Sequence, residues 1–200
     1  MRKSMVSSQP NDGGVHLFPP YIWKYNYDFP LDILQKPIDE VFNAVEHNSA
    51  LEKGDAVSTV SNPEWQKPHT WEELAEFQGW LGNKLTDIKE ELNFYNRQSE
   101  VIGSWFNRHY KSGYTDEHQH NFSTFVASCY LKCPPDSGNI VFRNPLEYHM
   151  CSFPIINEVQ MLREIECKTG DVIIFPGWLK HFTTPNNTDQ ERIVMTINIK

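Results

Sequence analysis

Long apolar runs are missing from this 200-residue sequence, so a transmembrane helix is excluded, and the polar amino end leads us to expect no secretory signal. Cysteine is scarce, with only Cys129, Cys133, Cys151 and Cys167 spread over strand-like stretches. No second closely spaced pair completes a zinc set around Cys129 and Cys133, which makes them buried free thiols and the expected setting reducing and cytoplasmic. Positive charge is also short: 18 Lys and Arg stand against 26 Asp and Glu, a formal net charge of −8, and no local Lys/Arg cluster offsets it. A basic stripe for a nucleic-acid backbone is therefore excluded, and a small-molecule or peptide substrate is favoured. Repeats and low-complexity runs are absent too, which leaves a single domain over 1–200 with a sizeable core.

Within that domain, 1–14 reads as a flexible arm, with a turn at Asn11-Asp12-Gly13-Gly14. Residues 15–100 supply an N-terminal strand and supporting helices. The stretch from Val15 to Tyr27 is aromatic and strand-like, broken at Pro19-Pro20. This segment leaves a homodimer open. Pro37 is placed at the first position of a helix carrying Ile38, Val41, Phe42 and Val45 on one face and ending near His47 to Ala50. Gly54 to His69 reads as a loop. A longer helix starts at Thr70, with Glu73 completing a capping box. Its stripe of Leu74, Phe77, Leu81, Leu85, Ile88, Leu92 and Tyr95 has to lie on a flat apolar surface.

From 101 onward the pattern is β: short strands at Val101–Tyr110, Thr115–His120, Thr124–Lys132, Asn139–Arg143, Tyr148–Phe153, Gln160–Cys167, Asp171–Phe175 and Arg192–Ile199, separated by turns. The fold class is mainly β with flanking helices, a sandwich or barrel of the jelly-roll kind. One motif organises it. His118 and His120 are two residues apart, so in an extended strand both imidazoles project from one face. His181 follows the apolar strand Asp171–Phe175 and its Pro176 turn, and Arg192 opens the last strand. Together these read as a non-haem metal site of His118, His120 and His181 beside an anion-binding cation. Asp116 shares strand parity with His118 and is the alternative carboxylate ligand. His109 alternates away from Tyr110 and reads as structural or solvated, as does His149.

In the order and spacing of four segments the chain resembles the iron(II)/2-oxoglutarate dependent oxygenases, and most of all their small bacterial and phage members. The segments are His118-Gln119-His120, Tyr130-Leu131, Ser137-Gly138-Asn139-Ile140-Val141-Phe142, and Gly170 through His181. The resemblance covers Trp105 to Ile199 and implies a double-stranded β-helix, cupin-like, with the metal at its open end. It implies iron(II), 2-oxoglutarate as co-substrate and dioxygen, with a hydroxylated product, succinate and carbon dioxide. Carried over residue by residue, Tyr110 and Tyr130 face the co-substrate and Arg192 holds its distal carboxylate, a task suited to a planar, permanently charged fork. Two departures are present. The family's usual carboxylate ligand is replaced by His120, and Val194 stands where many relatives have Ser or Thr, with Thr196 on the same face able to substitute. A three-histidine dioxygenase of cupin type without 2-oxoglutarate and a non-catalytic jelly-roll binding protein are the alternatives.

Overall fold

The computed structural model describes residues 21–62, 67–96, 98–146 and 161–200. The expected strand at 148–153, together with His149, Cys151 and the first part of the 15–27 strand, lies outside them. The chain is mainly β. Its larger sheet has six antiparallel strands in the order β1, β9, β6, β11, β4, β3. These are β1 Trp23–Asn26, β3 Ala56–Ser58, β4 Val101–His109, β6 Phe125–Lys132, β9 Asp171–Pro176 and β11 Arg192–Ile199. A second sheet joins β10 His181–Thr183, β7 Ile140–Arg143 and β8 Leu162–Ile165, and a two-stranded pair joins β2 Glu52–Lys53 to β5 Tyr114–Thr115.

The period of two in β6, β9 and β11 gives the large sheet two different faces. One face carries Phe125, Ala127, Cys129, Leu131, Val172, Ile174, Ile193, Met195, Ile197 and Ile199. It is covered by two helices, α1 Leu31–Asn43 through Leu34, Ile38 and Phe42, and α2 Ala75–Glu91 through Phe77, Leu81, Leu85 and Ile88. This is the flat surface the stripe of α2 requires. Burying each such side chain stabilises the fold by about 1.5–3 kcal/mol. The other face turns Val126, Tyr130, Ile173, Phe175 and Val194 toward Ile140 and Phe142 of the smaller sheet. Cys129 and Cys133 therefore belong to different clusters, and both are free thiols.

Several boundaries differ from expectation. Pro37 lies inside α1, which begins at Leu31 after Pro30. The hydrogen bond it forgoes is to the carbonyl of Ile33, a residue on the exposed side of the helix. Thr70 caps nothing, because its hydroxyl donates to the Lys67 carbonyl. The chain makes two short 3-10 turns, Pro68–Thr70 and Glu72–Leu74, before α2 begins. Tyr95 falls beyond the helix and is fully exposed. The expected loop over 54–69 contains β3, whose Ala56, Val57 and Ser58 pair with His109, Arg108 and Asn107. Among the described residues no helix is long and apolar enough to cross a membrane.

Candidate metal centre and co-substrate pocket

The register of the large sheet sets the site. Arg192 pairs with His109, Val194 with Asn107 and Tyr130, and Thr196 with Trp105 and Ser128. Alternation then lines one face with Trp105, Asn107 and His109 from β4, Ser128 and Tyr130 from β6, and Val194, Thr196 and Asn198 from β11. These residues wall a cavity of about 280 Å³ shared with Glu52, Thr115, His118, His120, His181 and Thr183.

The histidines arrive from two chain segments. The expected strand over 115–120 is reduced to β5, and His118 is held instead by a reciprocal pair of 3.0 Å backbone hydrogen bonds with His181. His120 donates its backbone N–H to the Gly177 carbonyl at 2.8 Å. A Cβ at Gly177 would collide with the Ser123 carbonyl, so this close approach needs glycine.

Each ring is oriented through Nδ1. That atom donates to the Asp116 carbonyl in His118, to Asn198 Oδ1 in His120 and to the Leu179 carbonyl in His181, each at 2.8 Å. All three Nε2 atoms are thereby left as lone-pair donors, and one ligand nitrogen from each residue lies within 4.8 Å of the others. His120 Nε2 is buried with no hydrogen-bond partner, an arrangement that a metal ion satisfies. Burial depresses all three imidazoles, reinforced at His120 and His181 by the neighbouring histidines. His120 is pulled down to about 4, so the rings are neutral. Trp105 stacks on His120 with ring centres 5.7 Å apart.

Asp116 does not join them. It is exposed, its carboxylate accepting from the Glu117 backbone N–H at 2.8 Å and lying 3.9 Å from Lys53. Arg192 is fully buried behind the cavity wall. Its Nε donates to His109 Nδ1 at 3.3 Å, Nη1 to the carbonyls of Ser137 at 2.5 Å and Thr184 at 3.3 Å, and Nη2 to Thr183 Oγ1 at 3.1 Å. Gly138 makes room for it: at φ 95° a Cβ would strike Arg192 Nη1 and the Thr184 carbonyl. Tyr130 is buried in the cavity wall, and burial pushes its phenol well up, so it is a neutral donor. Thr196 lines the cavity and accepts from Asn107 Nδ2 at 3.1 Å. Tyr110 is not brought to the site, since it is 37% exposed with its hydroxyl 3.4 Å from Arg108. The neighbouring parity faces inward, and the buried residue there is His109, expected to be structural or solvated and here part of the cavity wall. Glu52, Thr183 and Asn198 also line it and are not among the residues expected from the sequence. Stepping by two from His181 and Arg192 finds Thr183 and Asn198, whereas nothing in the sequence marks Glu52.

A mainly β chain with a neutral three-histidine cluster near a buried arginine fits a non-haem metal site. Residues 103–198 match the family described as "Putative 2OG-Fe(II) oxygenase". Over that segment the chain matches the 2-oxoglutarate/iron(II) oxygenases, and the match supports the general activity of a dioxygenase of this kind. No protein of curated function matches the sequence. Among solved structures it is similar to a prolyl-4-hydroxylase of Pseudomonas putida, at 14% identity and TM-score 0.62, over 90% of this chain and 92% of that one. It is similar to the viral collagen prolyl hydroxylase of Paramecium bursaria chlorella virus 1 at 16% and 0.58, over 90% and 95%. HygX of Streptomyces hygroscopicus, solved with nickel and 2-oxoglutarate, matches at 12% and 0.56, over 90% and 82%.

Proposed function

We propose that this chain is a hydroxylase of small-molecule or peptidyl substrates, a single oxygenase domain built on a double-stranded β-helix. His118, His120 and His181 would hold iron(II), and Arg192 would anchor 2-oxoglutarate. The observation that carries this reading is the buried His120 Nε2, partnerless and facing two other oriented imidazoles. Iron(II) bound there with 2-oxoglutarate and dioxygen supplies the oxidising chemistry that turns a C–H bond into C–OH and releases succinate and carbon dioxide. The protein's own contribution is position and charge. Of the five guanidinium N–H groups of Arg192 four are engaged, which leaves one Nη2 hydrogen for a carboxylate oxygen. Thr183 Oγ1 accepts from the Thr115 backbone N–H and from Arg192, so its own proton is free to donate into the cavity. Tyr130 and Thr196 add further donors, and Val194 with Ile140 makes the wall less wet. Prolyl hydroxylases among the similar structures favour a peptidyl or small-molecule substrate at the cavity mouth.

Arg192→Ala tests this reading against a three-histidine dioxygenase that needs no 2-oxo acid. The wild type should convert 2-oxoglutarate to succinate with iron(II) and oxygen, and R192A should weaken 2-oxoglutarate binding by about 100-fold, the worth of a buried charge-assisted bond. Metal-dependent turnover that survives R192A unchanged would contradict it.

A further inference from the structure

Three neutral imidazoles leave a bound dication without the carboxylate that usually offsets it, and the sequence neighbours of the triad do not replace it. Asp116 is exposed beside Lys53, and Glu117 is paired with Arg143. A buried carboxylate does reach the same cavity from elsewhere. Glu52, on β2, is 2% exposed in its side chain and lines the cavity with all three histidines. It accepts from His109 Nε2 at 3.0 Å and from Thr115 Oγ1 at 3.2 Å. Arg192 Nε can only donate, so His109 Nδ1 must accept and its Nε2–H is the donor, facing Glu52 at 3.0 Å and Thr115 Oγ1 at 2.9 Å. Burial, the largest influence, lowers His109, which keeps that imidazole neutral between the two charges. Burial also dominates at Arg192, and the charge of Glu52 is among the influences opposing it there.

Resting on the function proposed above, we infer that Glu52 is the charge-compensating carboxylate of this pocket, displaced from the metal's coordination shell to the far end of a Glu52–His109–Arg192 chain. With a dication, Arg192 and the dianionic co-substrate, the pocket would carry one uncompensated positive charge. Glu52 would bring it to zero, which lowers the cost of holding these charges away from bulk water. His109 relays the charge to Arg192 as a positioning residue and holds the guanidinium against Thr183.

The test uses the full chain and two binding measurements that need no turnover: cobalt(II) affinity of the metal-free protein, and 2-oxoglutarate affinity of the cobalt-saturated protein under nitrogen. Glu52→Gln keeps an oxygen acceptor for His109 and removes only the charge. It should weaken cobalt(II) binding about tenfold, the scale of one buried charge acting across a cavity at an effective dielectric of about 20, while 2-oxoglutarate binds at least as tightly as to wild type. Adding His120→Asp to E52Q should restore cobalt(II) affinity. Should E52Q fail to fold, His120→Asp in the otherwise unaltered chain decides, because it leaves the pocket one charge too negative and should weaken 2-oxoglutarate about tenfold. Unchanged cobalt(II) affinity in E52Q, weakening of both ligands together, or undiminished 2-oxoglutarate affinity in H120D would each overturn the inference. A wild-type protein that takes up no divalent ion would overturn the functional reading itself, a distinct outcome.

Discussion

Asn198 has no contact with a metal in any scheme, yet its side chain decides which nitrogen His120 presents. His120 Nδ1–H donates to Asn198 Oδ1 at 2.8 Å, and the stacks of the ring on Trp105 and His181 hold its plane and not its tautomer. Asn198→Ala leaves that buried N–H without an acceptor and frees the ring to rotate or to carry its proton on Nε2. Losing one such hydrogen bond costs about 1–3 kcal/mol, and loss of the residue orienting a metal-bound histidine lowers affinity by about 10- to 100-fold. The assay is titration of the metal-free protein with cobalt(II) against a competing chelator, with 2-oxoglutarate absent. Asn198→Asp, which keeps the acceptor, should stay close to wild type or bind more tightly. The reasoning is refuted if N198A binds cobalt(II) within about twofold of wild type.

Gly138→Ala should drive a methyl group into Arg192 and weaken 2-oxoglutarate binding about tenfold or more, with cobalt(II) affinity unchanged, as read by calorimetry of each ligand. The metal-free protein should lose stability in acid. His120 titrates near 4 when folded and near 6.5 when unfolded, so between these values the unfolded chain binds the extra proton. Its contribution is complete above about pH 6.5 and falls by about 3 kcal/mol toward pH 4, so urea midpoints should decline over that window and a flat profile would contradict the neutral triad. In the helix-covered core, Phe77→Ala should cost about 3–5 kcal/mol in urea unfolding, because Phe77 is buried against Tyr27, Phe29 and Trp80. A loss below about 1 kcal/mol would mean that α2 does not seal the sheet.

The β half was legible because its strands obey a period of two over short, turn-bounded stretches, and β4, β6, β7, β9 and β11 fall within a residue or two of expectation. The α2 stripe was legible for the same reason at a period near 3.6, from Leu74 to Ile88. Caps were less so: Thr70 and Glu73 have the spacing of a capping box, but a nearer acceptor, the Lys67 carbonyl, takes the hydroxyl. Short pairings such as β3 with β4 and β2 with β5 carry too few residues for any period, and they bring in Glu52 and Ser58. The histidine cluster could be read from spacing and type. The inward parity at 109 and 110 could not, since two polar side chains sit side by side and only the register of Arg192 against His109 tells them apart.

Three oriented imidazoles and a buried arginine are proposed to form one site for iron(II) and 2-oxoglutarate. Anaerobic titration of the iron(II) protein with 2-oxoglutarate tests it most directly, through the weak visible charge-transfer band of the chelated complex. A band should appear that needs both components and is lost in His181→Ala and in Arg192→Ala. Tight iron(II) binding with no band at saturating 2-oxoglutarate would contradict it.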